Sequence, residues 1–169
     1  MKKFKLTSEF IVDISGVKLF RIKALIEFGN VKAGDLGGYI EKEENLSHMG
    51  NAWVSDDARI SGNAQVFGNA QVFGDAQVFG DAWVFGNARV FGNARVSGDK
   101  DYAYAHGFGS CNRTTTFFRL KDGDVGVRCG CFYGTLAQFR DKVCETHGET
   151  KKAQEYLMLA DLMEIRFKN

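Results

Sequence analysis

A six-residue unit repeats with little variation between Gly50 and Asp99. The unit reads Gly, Asn or Asp, Ala, a variable residue, Val or Ile, and then Phe or Ser, as in 62–67 and 68–73. Valine or isoleucine recurs at 54, 60, 66, 72, 78, 84, 90 and 96, and alanine lies two residues before each of them. A fixed short period is typical of solenoids, in which each repeat buries its apolar face by stacking on its neighbours. This repeat constrains the fold more than any other part of the chain.

The alternation within each repeat predicts a very short strand. Ala and Val point inward, whereas the variable residue and the following Phe or Ser point outward. The Gly-Asn or Gly-Asp pair predicts a corner, because these residues adopt left-handed backbone angles at low cost. Three successive repeats form the three sides of one coil, so the chain from about 40 to 99 forms a little over three coils. In this register Ile40 and Leu46 occupy the alanine position of the first coil.

The repeat resembles the hexapeptide repeat of left-handed β-helix proteins over the stretch from about 40 to 99. That resemblance implies a left-handed sense for the coils. The whole chain, including Cys129-Gly130-Cys131-Phe132 and Glu145-Thr146-His147-Gly148, also resembles small uncharacterised proteins encoded by bacteriophages and prophages. The second resemblance implies a protein that works in the cytoplasm of a bacterial host cell.

The segments that flank the repeat follow other patterns. Residues 1–39 predict an N-terminal β cap with a turn at Ser15-Gly16. Residues 100–169 predict a β-hairpin with a type I′ turn at Asp122-Gly123, followed by two helices. We therefore expect a mainly β protein, in which the β cap precedes a left-handed β-helix of about three coils at 40–99 and a C-terminal hairpin and two-helix unit completes the chain.

The turn signal also predicts the register of the hairpin. A two-residue loop pairs Leu120 with Val125, Phe118 with Val127, Thr116 with Cys129 and Thr114 with Cys131. This register is favoured because it gathers the apolar members on one face. After the hairpin, Thr135-x-x-Gln138 predicts a capping box at the start of the first helix, and Gly148 predicts its end.

Because every third repeat returns to the same side of the coil, the outward side chains fall on three faces. The first face is polar and carries Glu41, Glu43, Arg59, Ser61, Gln77, Phe79, Arg95 and Ser97. The second carries Trp53, Ser55, Gln71, Phe73, Arg89 and Phe91, and the third carries Ser47, Met49, Gln65, Phe67, Trp83 and Phe85. Aromatic rows of this kind exceed what a soluble monomer usually leaves exposed.

The aromatic faces therefore predict binding or interface residues, namely Trp53, Phe67, Phe73, Trp83, Phe85, Arg89 and Phe91. Two explanations stay open for them. The C-terminal unit covers one face and a sister subunit of a dimer or trimer covers the other, or a different protein docks there. Nucleic acid is not favoured as a partner, because the formal net charge is only +1 and the Arg residues form no continuous stripe.

Four residues near the end of the chain have a spacing that zinc ligands can show. Cys129 and Cys131 share one strand, and Cys144 and His147 lie one helical turn apart. A second interpretation treats the cysteines as small buried apolar residues and His147 as a favourable charge at a helix C-terminus. No cofactor is expected under the second interpretation, and a structural zinc ion is the alternative.

Many proteins of the hexapeptide-repeat class are acyltransferases that use a histidine as a base. The histidines of this chain, at 48, 106 and 147, all lie outside Gly50–Asp99. The sequence therefore favours a non-enzymatic protein. Alternatives are an acyltransferase-like or metal-dependent enzyme, a protein that sequesters a nucleotide signal, and a polymer-forming structural protein.

The expected setting follows from the resemblances and from the start of the chain. Met1–Lys5 is basic, but no apolar run follows it, and no stretch has the length of a membrane span. A cytoplasmic protein without membrane contact is expected. The aromatic faces predict a homo-oligomer, a dimer or trimer. The resemblance to phage proteins implies that it binds a host protein and inhibits a bacterial defence system such as CRISPR-Cas.

Overall fold

The computed structural model describes residues 1–168. Its strands are β1 Phe4–Val12, β2 Lys18–Ala24, β3 Leu36–Ile40, β4 Trp53–Val54, β5 Arg59–Ile60, β6 Gln65–Val66, β7 Gln71–Val72, β8 Gln77–Val78, β9 Trp83–Val84, β10 Arg89–Val90, β11 Arg95–Val96, β12 Tyr102–Phe108, β13 Arg113–Arg119, β14 Val125–Cys129 and β15 Phe132–Thr135. The α-helices are α1 Leu136–His147 and α2 Lys151–Phe167. Neither helix within 1–168 is both long enough and apolar enough to span a membrane.

The repeat folds as a β-solenoid of about three turns. Its two-residue strands stack in parallel on three sides, in the orders β3-β5-β8-β11, β4-β7-β10 and β6-β9. Val54 pairs with Val72, and Val72 pairs with Val90, so each inward residue lies above its counterpart in the previous coil. The inward Ala and Val side chains are fully buried. The predicted β-helix is confirmed, whereas its left hand stays a prediction.

The corners of the solenoid are built as the repeat predicts. Gly68, for example, has a φ of +69°, a left-handed value that glycine adopts without steric cost. The asparagine that follows points outward, and the Asn69 amide donates to Asn87 Oδ1 at 3.2 Å in the next coil. Polar ladders at the corners thus add contacts between coils, while the glycines allow each coil to turn.

The first coil differs from the predicted register. Val54 pairs with Val72, the valine found three repeats later. Ile40 pairs instead with Ile60, and Leu46 pairs with Val66. In both pairs the partner lies further along the chain than three six-residue repeats would place it. Ile40 and Leu46 therefore occupy the valine position, and their prediction at the alanine position is wrong.

The reason for this shift lies in the available space. Gly38 is buried opposite Ala58, where a Cβ atom would lie only 2.6 Å from the Ala58 carbonyl oxygen. The glycine therefore takes the small-residue position, and Ile40, which follows it on the same side of the strand, takes the place of valine. The corner at 47–51 absorbs the additional length of the first coil.

The N-terminal segment closes the first end of the solenoid. Strands β1 and β2 form a hairpin, and β2 pairs with β3, so the hairpin continues one wall of the coils. The side chain of Lys3 is buried, and its Nζ donates to the carbonyl oxygens of Ala52 at 2.7 Å and Gly50 at 3.3 Å. These carbonyls belong to the first coil and have no preceding coil to bond, so Lys3 satisfies them instead.

The C-terminal sheet, β12-β13-β14-β15, closes the other end. Phe118 is fully buried within the solenoid core, and Thr116 Oγ1 accepts a hydrogen bond of 3.1 Å from the Arg89 backbone N–H. Helices α1 and α2 cover the opposite face of the sheet, where Phe117 packs on Phe139. The capping box of α1 at Thr135 and Gln138 is confirmed.

The register of the β13–β14 hairpin also corrects the sequence prediction. Thr115 pairs with Cys129, and Phe117 pairs with Val127, one residue away from the predicted partners. The loop is longer than predicted, because the Leu120 N–H donates to the Asp124 carbonyl and leaves three residues, 121–123, between them. Gly123 has a φ of +90°, as in hairpins that end a turn with a bulge.

Candidate functional site

A cleft of about 450 Å³ lies where the last coil meets the C-terminal sheet. We call it the arginine cleft, and its lining residues are Asn87, Arg89, His106, Arg113, Thr114, Arg128 and Gly130. Asn87 and Arg89 come from the solenoid, and the others come from the sheet and its turns. The cleft therefore exists only because the two parts pack together.

Strand alternation explains why His106, Thr114 and Arg128 meet there. His106 on β12 pairs with Thr114 on β13, and Thr116 pairs with Arg128 on β14. Thr114 and Thr116 are alternate residues of one strand and point to the same side of the sheet, as does Phe118 in the solenoid core. His106 and Arg128 consequently point toward the end of the solenoid, beside Arg89.

The charges of the arginine cleft are uncompensated. Within 1–168, no carboxylate lies within 4.0 Å of the guanidinium nitrogens of Arg89, Arg113 or Arg128. Arg21, Arg119 and Arg140 lie close to carboxylates, as Arg119 does to Asp101 at 3.1 Å, whereas Arg59, Arg95 and Arg166 have no carboxylate partner in the described part of the chain. Several unpaired positive charges around one concave space raise the local potential and attract anions.

Neighbouring groups orient the side chains that form the cleft. The Arg128 guanidinium lies over the Phe91 ring, 5.7 Å from its centroid, and its Nη1 donates to the Cys131 carbonyl at 3.5 Å. The Nε atom of Arg128 is buried and has no hydrogen-bond partner among the described residues. His106 Nδ1 and Thr114 Oγ1 share a hydrogen bond of 2.9 Å. These contacts hold Arg128, His106 and Thr114 in place at the wall of the cleft, and arginine side chains in such a position suit the recognition of an anion.

An exposed aromatic row lies around the corner from the cleft. It consists of Phe67, Trp83 and Phe85, and we call it the third-face row. The Phe67 and Phe85 rings stack with centroids 5.2 Å apart, and Trp83 meets Phe67 edge-on at 6.2 Å. Trp83 is 51% exposed and Phe85 is 37% exposed. The row therefore offers a large apolar surface to solvent.

The second face is mostly covered by the chain itself. Trp53 is only 6% exposed, because Phe28 of the N-terminal segment packs edge-on against it at 5.3 Å. At the other end Tyr133 packs on Phe91 at 4.8 Å, and Phe73 lies half-buried beneath Phe91. The prediction of Trp53 as a docking residue is therefore wrong. Phe73 and Phe91 serve contacts within the chain, and Arg89 belongs to the arginine cleft.

The structure does not bring the four predicted zinc ligands together. Among residues 1–168, no group of three or more His, Cys, Asp or Glu side chains has an arrangement that could hold a metal ion. Cys129 lies on the helix side of the sheet, where Thr115 Oγ1 donates to its Sγ at 3.2 Å. Cys131 is exposed in the turn between β14 and β15, and Cys144 is exposed on α1. His147 lies at the end of α1 beside Tyr156.

His48 is held by packing in the first coil. Its Nδ1 accepts a hydrogen bond of 3.1 Å from the Lys3 backbone N–H, and its ring stacks on Phe4 with centroids 4.3 Å apart. Its Nε2 is buried and lies 3.7 Å from Glu43 Oε2. Neither ring nitrogen is thus presented to a substrate, so the position of His48 fits a structural role.

One comparison with known proteins agrees with the architecture. A family described as the YdcK beta solenoid repeat matches residues 58–74, a stretch just short of one coil. No curated protein matches the chain. The family match supports the solenoid and adds nothing about the arginine cleft, whose sheet residues lie outside the matched stretch.

Sequence reasoning missed His106, Arg113 and Arg128 as members of a site. The predicted hairpin register placed Cys129 on the side of the sheet that Arg128 occupies, since a shift of one residue reverses every side chain of a strand. A three-residue loop ending in Gly123 is the signal that leads to the observed register. The approach of Arg89 to these residues has no comparable signal in the sequence.

Proposed function

We propose that this chain is a non-enzymatic binding protein that contacts a protein partner through the third-face row. The observation that carries the proposal is the exposure of Trp83 and Phe85 beside the stacked ring of Phe67, on a wall of the solenoid. Tryptophan and other large aromatic side chains dominate the binding energy of many protein interfaces. The corresponding residue of the second face, Trp53, is covered by the chain itself and is not part of the proposal.

The solenoid supports this function because it holds the row in place before a partner arrives. Val66 pairs with Val84 on the inner side of the same wall, and both are fully buried. Ring stacking and the parallel ladder limit the freedom of Phe67 and Phe85. A rigid surface loses little conformational entropy on binding, which favours affinity.

The resemblance to phage and prophage proteins narrows the proposal. We propose a partner from the bacterial host, in its cytoplasm, and inhibition of a defence system such as CRISPR-Cas as the consequence of binding. We also propose that the chain self-associates into a dimer or trimer through the same row. The proposal further assigns the solenoid to the left-handed hexapeptide-repeat class. A sister subunit and a host protein would then compete for the third-face row.

The test compares Trp83→Ala with Phe79→Ser. Phe79 occupies the phenylalanine position of its repeat but lies on the polar first face, under Arg95. The tagged wild-type chain should retain a host protein from a bacterial lysate and reduce plasmid interference in cells with an active CRISPR-Cas system. Trp83→Ala should lose both effects, whereas Phe79→Ser should keep them. Equal behaviour of the two variants, or no effect of the wild-type chain on interference, overturns the proposal.

Solution mass, measured by light scattering, tests self-association separately. A mass two or three times that of the chain that falls to the monomer mass in Trp83→Ala supports an interface between copies at the row. An oligomer that Trp83→Ala leaves intact places self-association on another surface and leaves the row for the host protein.

A further inference from the structure

We propose that the arginine cleft binds a small organic phosphate that carries at least two negative charges. The cleft is separate from the third-face row, and this inference does not depend on the proposed function. It starts from three arginine residues, Arg89, Arg113 and Arg128, that line one cavity and have no carboxylate partner in the described part of the chain.

The chemistry of these side chains favours phosphate. Each guanidinium is planar and carries donors in a fixed fork, which matches two oxygens of a phosphate group at once. The side chains come from three different strands, so the packing of the solenoid against the sheet determines their positions. Gly130 leaves room for this arrangement, because a Cβ atom there would collide with the Arg113 guanidinium.

Unsatisfied donors give a second reason. The buried Nε of Arg128 has no partner among residues 1–168, and buried N–H groups in folded proteins nearly always have one. A bound dianion would supply acceptors and opposite charge to the arginine side chains that line the cleft.

The size of the cleft indicates more than an inorganic ion. A volume of about 450 Å³ falls in the range of cavities that hold small organic ligands. Asn87, Thr114 and His106 add neutral polar groups that can contact the organic part. A long nucleic acid is disfavoured, because the formal net charge of the chain is +1 and a strand-binding groove needs a positive track several nucleotides long.

Two arginines of the repeat provide a matched pair for the test. Arg89 and Arg95 follow the same Gly-Asn-Ala sequence and precede valine, but Arg89 lines the cleft and Arg95 lies over Phe79 on the first face. The hydrogen bond between residue 89 and Thr116 is donated by the backbone N–H of residue 89. The substitution Arg89→Gln therefore leaves this hydrogen bond in place. Thermal melts of both variants should match the wild type.

Isothermal titration with pyrophosphate, ATP and adenosine measures the binding. Pyrophosphate and ATP should bind and adenosine should not. Arg89→Gln should weaken ATP binding by about tenfold or more, as expected for a lost charge-assisted hydrogen bond, and Arg95→Gln by less than about twofold. The inference is overturned if neither pyrophosphate nor ATP binds, if adenosine binds as well as ATP, or if both variants weaken binding equally. Tighter binding of a long single-stranded oligonucleotide than of ATP also overturns it, in favour of nucleic acid.

Discussion

Phe67 and Phe85 lie one coil apart on the third face, and their ring planes deviate from parallel by only 9°. Both follow an inward valine, so the backbone of each coil places one ring above the other. This stack lies outside the solenoid core, which includes the buried Ala and Val side chains of every repeat. In each repeat of this face, the inward valine therefore stabilises the coil, and the phenylalanine that follows it forms the exposed aromatic row.

Val84 and Phe85 separate these two properties experimentally. Val84→Asp places an unpaired charge at a fully buried position, and we expect the free energy of unfolding to fall by more than about 4 kcal/mol. Phe85→Ser removes a partly exposed ring and should cost about 1 kcal/mol. Thermal unfolding followed by circular dichroism distinguishes the two. Equal destabilisation by both substitutions would mean that Phe85 contributes to the core.

Gly50 and Gly98 provide a second pair, which tests the corners of the solenoid. Gly50 has a φ of +69°, and a side chain there would collide with the Gly68 carbonyl of the next coil. Gly98 has an extended backbone, and apart from its chain neighbours no atom of residues 1–168 lies within 4 Å of the place that its Cβ would take. Urea denaturation should show a loss of about 1–3 kcal/mol for Gly50→Ala and a change within about 0.5 kcal/mol for Gly98→Ala. A similar loss in both variants would contradict the role assigned to left-handed glycine.

The spacing of valine and glycine is enough to predict the solenoid, because every repeat has the same local pattern and forms the same short strand and corner. A Val at every sixth position predicts a side chain that points into the core, and Gly before Asn or Asp predicts a corner. The flanking hairpin and the helix start at Thr135 also follow from short-range signals. Such features depend on residues that are close in the sequence.

The remaining features depend on contacts between distant segments. The space opposite Ala58 makes Gly38 the small residue and moves Ile40 into the valine position, and no pattern within residues 36–46 indicates this. The arginine cleft requires Arg89 of the last coil to meet Arg128, whose side was predicted incorrectly by one residue of hairpin register. Sites of this kind become visible only when the docking of the two parts is known.

The thiols test the local structure around the predicted zinc ligands. Cys111, Cys131 and Cys144 are exposed, whereas Cys129 is partly buried and accepts a hydrogen bond from Thr115. In the native protein, a colorimetric disulfide reagent should modify three thiols quickly and the fourth slowly. Protection of Cys131 and Cys144 that a chelator abolishes would contradict this arrangement and restore the zinc hypothesis. Thr115→Val is the control for the slow thiol, because it removes the hydrogen bond to Cys129 and should speed that reaction alone.

Lys3 should make the stability of the first coil depend on pH. Burial lowers the pKa of its ammonium from 10.5 to about 8. Below pH 8 both the folded and the unfolded chain carry the proton, and the folded state bears the full cost of burying the charge. Between pH 8 and 10.5 the folded chain has released a proton that the unfolded chain keeps, so the free energy of unfolding rises with pH in this window.

Comparison with Lys3→Met isolates this effect from the other titrating groups. The free energy of unfolding of the wild type, minus that of Lys3→Met, should increase by about 1–2 kcal/mol between about pH 8 and 10. The window ends near pH 10.5, where the lysine of the unfolded chain loses its proton as well. Urea denaturation at several pH values provides the measurement. A difference that stays constant or decreases with pH would show that the Lys3 ammonium is not desolvated where it bonds the carbonyls of Gly50 and Ala52.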